Sequence, residues 1–79
     1  MKLQELRAGQ RAKVVEVEGL DAISVRLLEM GVTPGSPVEY IGKAPLGDPL
    51  EFQIRGYRLS LRKSEAARVT IELLDPATA

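Results

Sequence analysis

Apolar residues recur at two spacings along this chain, and the spacing changes from segment to segment. Leu50, Phe52 and Ile54 alternate with Glu51, Gln53 and Arg55, the period of a strand with one buried face. Leu59 and Leu61 keep that rhythm through Arg58 to Arg62, and Gly56-Tyr57 between the two runs reads as a two-residue hairpin loop of the II′ kind. Val69, Ile71 and Leu73 alternate in a last strand. A first strand, Gln10 to Val17, sends Ala12 and Val14 inward against Arg11 and Lys13, but Val15 and Val17 break the phase, which a bulge near Val15 explains. Another strand covers about Val38 to Gly42.

One segment has the helical period. Asp21 offers an N-cap, Ala22 to Met30 form the helix, and Gly31 with Val32 makes a Schellman-type stop. Ile23, Leu27 and Met30 form one stripe on it, while Val25 and Leu28 form a second to the side. That is more apolar surface than a helix on a small core requires. Elsewhere, Leu3 and Leu6 suggest a single helical turn, Thr33-Pro34-Gly35-Ser36 a type II turn, and Ser64 a cap for a turn of helix to Ala67. Lys43 to Pro49, with two prolines and a glycine, is an irregular loop. These elements predict a mainly β fold, a small SH3-like antiparallel β-barrel of about five strands with one inserted α-helix and a short helical turn. A closed barrel would also hide the edges of its sheet. A single domain spans 1–75, and 76–79 form a C-terminal tail.

Composition then narrows the function. The chain has 79 residues, with 11 Lys and Arg against 11 Asp and Glu, and it contains no His and no Cys. A domain this small has a thin core. Without His or Cys it lacks the commonest general base, the thiol nucleophile and the usual ligands of transition metals, so no catalytic residue, no metal site and no cofactor is expected. Balanced charge removes the broad attraction that dominates nucleic-acid binding, and nucleic acid is not an expected partner. The N-terminal segment is too polar for a signal peptide, and no apolar run approaches a membrane span, so a cytoplasmic protein without direct membrane insertion is expected.

Several local patterns carry chemistry only in part. Gly42 to Gly47 has the glycine spacing of a phosphate loop, but Asp48-Pro49 stands where Lys and a hydroxyl residue are needed. Glu16, Glu18 and Asp21 surround Gly19 and could hold a hard cation, yet they lack the alternating ligand order of a dedicated loop. Arg55, Arg58 and Arg62 share an outward parity, a secondary basic patch suited to an acidic partner or a nucleic-acid backbone; a solvated charged face is the simpler reading. Only three aromatic residues are present, which argues against base stacking and against an aromatic groove for Pro-rich peptides. The surplus is apolar: Val25 and Leu28 on the helix and Leu46 on the Pro/Gly loop. Such groups mark a protein contact, unless the helix folds over an open end of the barrel and hides them.

The same segments carry a family resemblance. Arg26-Leu-Leu-Glu-Met-Gly31, Thr33-Pro-Gly-Ser36, Ala44-Pro-Leu-Gly-Asp-Pro49 and Leu59-Ser-Leu-Arg-Lys63, in that order, resemble the ferrous iron transport protein A (FeoA) family from about Leu3 to Leu73. The resemblance implies an SH3-like barrel in bacterial cytoplasm that works with FeoB, a GTPase-linked ferrous iron permease. It implies no catalytic activity, action by protein–protein contact, and regulation of GTP hydrolysis or of transporter assembly. Metal binding attaches to the family by analogy with iron-dependent repressors, an analogy that a chain without His or Cys supports poorly. Val25, Leu27, Leu28 and Met30 on the helix, with Leu46, are the candidate partner-binding residues, and self-association is left open. Leu27 is the ambiguous member, because its stripe can equally belong to the core. The alternative is an SH3-like regulatory domain of the iron-dependent repressor type, although no helix-turn-helix segment accompanies it here.

Overall fold

A computed structural model describes residues 1–74; the expected tail at 76–79 lies outside them. A 3-10 turn at Leu3–Glu5 leads into β1 (Arg11–Val17), followed by α1 (Ala22–Glu29), β2 (Pro37–Lys43), β3 (Leu50–Ile54), β4 (Tyr57–Leu61), α2 (Lys63–Ala66) and β5 (Val69–Leu73). The strands form one antiparallel sheet in the order β4-β3-β2-β1-β5. The expected bulge is present, since the pairing of β1 with β5 shifts between Val14 and Glu16 and turns Val15 outward. A second shift lies between Tyr40 and Gly42, where β2 pairs with β3.

The sheet stays open between β4 and β5 instead of closing into a full barrel. Its β5 edge is covered, and the β4 side is joined to α1 by a side-chain bond. Along β5, the Ile71 N–H donates to the Met1 carbonyl (2.8 Å) and Lys2 bridges to Thr70, so the N-terminal residues cover that edge. On the β4 side, the Tyr57 hydroxyl donates to the Met30 carbonyl at the end of α1. Between them, the 3-10 turn packs against both α2 and β5. Leu3, Leu6 and Ala66 are buried there with Val14, Leu27, Val32, Val38, Phe52, Ile54, Leu61, Val69 and Ile71 in one core.

Helix α1 begins and ends where local chemistry dictates. The Asp21 carboxylate accepts from the Ser24 N–H (3.2 Å), satisfying a donor of the first turn. At the other end, the Val32 N–H reaches the Leu27 carbonyl (3.0 Å) and the Gly31 N–H the Leu28 carbonyl (3.1 Å), with Gly31 at φ +97° and Val32 fully buried. This is the Schellman stop that the sequence predicts. The turn after it is closed by the Ser36 N–H on the Thr33 carbonyl (3.0 Å).

Three local expectations shift. The hairpin loop is Arg55-Gly56, because Ile54 pairs with Tyr57; both loop residues have positive φ (49° and 86°), which makes it a type I′ turn. Arg55 tolerates that conformation while its side chain is tied down: Nε donates to Ser36 Oγ (3.0 Å) and Nη2 to Thr33 Oγ1 (3.3 Å). Helix α2 starts one residue before Ser64, and its first turn is closed by Glu65, whose Oε1 accepts from the Arg62 N–H (2.9 Å). Leu73 ends β5 exposed, where the inward alternation would have buried it.

Candidate functional site

The candidate surface resolves residue by residue. Leu27 is wholly buried under α1 and leaves the set, because the helix is laid onto the sheet along the face that carries Ser24 and Leu27. Met30 is half-buried and packs against the core, so it borders the surface without standing on it. Val25 (49% exposed) and Leu28 (42% exposed) remain outside. Ile23, expected to share Leu27's stripe, is also exposed, and Leu20 just before the helix is fully so. Leu20 was not legible as a surface residue, since a single leucine after Gly19 has no periodic neighbour to place it.

Leu46 is 96% exposed at the tip of its loop. The loop has its own scaffold: the Gly47 N–H donates to the Ala44 carbonyl (2.7 Å) and the Ala44 N–H to the Pro49 carbonyl (3.0 Å), which puts Pro45 and Leu46 at the two corners of a turn. Both parts of the surface are tied to α2. From α1, Arg26 pairs with Glu65 (3.0 Å), whose carboxylate is nearly buried and engages Arg62 with its other oxygen. From the loop, Asp48 Oδ1 accepts from the Lys63 N–H (2.9 Å). Arg26 of α1 and the Leu46 loop therefore each make a contact with the same short helix. What Val25, Leu28 and Leu46 leave exposed is apolar area near charged side chains.

The three arginines of the basic patch have different surroundings. Arg55 is committed to Ser36 and Thr33, Arg58 lies exposed on β4 opposite Gln53, and Arg62 precedes α2. The carboxylates around Gly19 are drawn apart by cations: Glu18 pairs with Lys2, and Asp21 with Arg68 (2.6 Å). The Arg68 guanidinium, with the Ser24 N–H behind it, holds the Asp21 carboxyl below its ordinary range. Among the described residues no three potential ligands gather, and with neither His nor Cys in the chain its donors do not fit a resident transition metal. No helix among the described residues is long and apolar enough to cross a membrane.

The family model of the FeoA domain matches residues 1–73. A Porphyromonas gingivalis Fe(2+) transport protein A/Fe(2+) transporter FeoB fusion protein is 40% identical over 74 residues; these cover 94% of this chain but only 9% of the fusion protein. The Stenotrophomonas maltophilia FeoA, an SH3 domain protein whose crystal structure was solved with zinc, is 41% identical with a TM-score of 0.81, covering 91% of this chain and 89% of that one. A manganese-dependent transcriptional repressor superimposes with a TM-score of 0.85 at 16% identity, covering 94% of this chain and 36% of the repressor. That last likeness shows the fold alone.

Proposed function

This chain belongs to the FeoA domain family, and from that premise we propose that it is a non-enzymatic cytoplasmic accessory protein of bacterial ferrous iron uptake, acting by contact with a FeoB-type membrane transporter. The observation that carries the reading is the fusion protein, in which a segment 40% identical to this chain is joined to such a transporter. Covalent linkage keeps two modules at high effective concentration, which is useful where they act on each other. The contact uses Val25 and Leu28, bordered by Met30, together with Leu46, because these apolar groups lie outside the core. Leu27 supports them from beneath. Regulation of the transporter's GTP turnover is the activity expected of the contact.

The test is co-purification with the cytosolic part of the FeoB-type transporter from the same organism. The unaltered protein is retained. Leu28→Gln with Leu46→Gln abolishes retention while the circular dichroism spectrum and thermal midpoint stay those of the parent. Undiminished retention of the folded double variant refutes the assigned surface. GTP turnover measured with and without the protein then gives the sign of the effect.

A further inference from the structure

Away from α1, a groove of about 260 Å3 runs between the N-terminal turn, the end of β2, the start of β3 and α2. Leu6 and Leu50, both buried, and half-buried Tyr40 form its apolar part, with Tyr40 set edge-on against Phe52 at 5.8 Å. Its rim carries Arg7, Lys43 and Lys63, all exposed. No carboxylate lines the groove, and among the described residues none of the three cations is in an ion pair or donates a side-chain hydrogen bond. Asp48, whose carboxylate accepts from the Lys63 N–H, stands next to the rim, so in a chain with 11 cationic and 11 acidic residues three cations against one neighbouring carboxylate still make a local excess of one sign.

Backbone structure fixes the points from which the three side chains extend. Arg7 opens a turn closed twice by Gln10, whose N–H donates to the Arg7 carbonyl (3.0 Å) and whose side-chain oxygen accepts from the Arg7 N–H (2.9 Å). Lys43 ends β2 as the cross-strand partner of Leu50. Lys63 opens α2, its N–H held by Asp48. The charged heads make no contact that the fold requires, while the chain beneath them is well anchored.

We propose that this groove docks an acidic segment of a partner protein, with an apolar side chain seated on Leu6, Tyr40 and Leu50 and flanking carboxylates on Arg7, Lys43 and Lys63. The chemistry selects a peptide over the other anions. A lone phosphate needs converging donors held in place, and these three sit on long exposed side chains. An anionic bilayer presents a broad surface that does not enter a groove, and a nucleic acid would find a single half-buried ring on which to stack. An acidic peptide with an apolar residue uses both the rim and the floor. The inference stands whether or not that partner is the transporter.

Fluorescence anisotropy of the full chain with a labelled synthetic peptide alternating Glu and Phe tests it. A Lys/Phe peptide, inorganic phosphate, single-stranded RNA and phosphatidylglycerol vesicles serve as comparators. The acidic peptide binds, and binding weakens as salt rises. Lys43→Glu and Lys63→Glu each lower affinity roughly three- to tenfold, as expected for exposed charge pairs that are reversed. Lys43→Gln and Lys63→Gln lower it less, and Arg58→Glu, outside the groove, leaves it unchanged; thermal melts confirm that each variant is folded. The proposal is overturned if the acidic peptide does not bind, if the Lys/Phe peptide binds equally, or if the groove variants bind like the parent. Tighter binding of phosphate, RNA or vesicles through the same cations overturns it as well.

Discussion

Replacing Gly31 by alanine should cost this small domain a large share of its stability. Gly31 sits at φ +97° as the residue that stops α1, and a Cβ there would overlap the Tyr57 hydroxyl. An L-residue in this region of backbone space costs about 1–2 kcal/mol. Moving Tyr57 aside also breaks its hydrogen bond to the Met30 carbonyl, a loss of about 1 kcal/mol. The sum, about 2–3 kcal/mol, corresponds to a fall in thermal midpoint of roughly 10–20 °C for a domain of this size. A double-mutant cycle separates the two contributions. Tyr57→Phe alone should cost about 1 kcal/mol, and in its background Gly31→Ala should cost only the backbone strain, leaving a coupling of about 1 kcal/mol. Urea unfolding followed by circular dichroism measures all four corners. Strict additivity would show that the hydroxyl does not crowd Gly31, and a cost for Gly31→Ala below about 0.5 kcal/mol would refute the reasoning altogether.

Two adjacent leucines should respond in opposite ways: Leu27→Ala removes a fully buried side chain and costs about 2–5 kcal/mol, whereas exposed Leu28→Ala changes urea stability by less than about 0.5 kcal/mol. Ser36→Ala should cost about 1–3 kcal/mol in the same assay, because the buried hydroxyl accepts from Arg55 and donates to the Gly31 carbonyl (3.2 Å), and its loss leaves groups without partners. Asp21 gives a pH prediction. Its folded pKa is depressed below the ordinary 3.8, so its contribution is fully present above that value and lost as pH falls through the folded pKa. Asp21→Asn should therefore flatten the acid limb of a plot of urea midpoint against pH, and an unchanged limb would refute the Arg68 and Ser24 contacts as its cause.

What can be read from this sequence is what the chain decides locally. Asp21 and Gly31 bracket α1 within a few residues of the groups they satisfy, so cap and stop are visible before any fold is known. The bulge at Val15 shows itself as a phase error in an otherwise alternating strand. The Arg55-Gly56 turn is different. Gly56 draws attention to itself, but Arg55 is held at positive φ by Ser36 and Thr33, 19 and 22 residues away, and nothing in the hairpin announces them. Leu27 presents the same difficulty within one helix. Two apolar stripes side by side do not say which one the sheet will cover, and only docking of α1 assigns Leu27 to the core and Leu28 to the surface. The groove beside α2 is hidden for a similar reason: Arg7, Lys43 and Lys63 are scattered singly along the chain and come to line one groove only in the folded structure.

The position of α2 bears on how fast and how tightly a partner could be held. This four-residue helix anchors α1 through the Arg26–Glu65 pair and the Leu46 loop through the Lys63–Asp48 bond. A flexible loop that must be ordered on contact gives back part of the binding free energy as lost conformational freedom. On the proposed docking surface part of that ordering has already taken place during folding, because the Leu46 loop is moored to α2 through Asp48. If the Leu46 loop docks as proposed, Asp48→Ala should leave Leu46 itself present and yet weaken association, with the deficit appearing as a less favourable binding entropy.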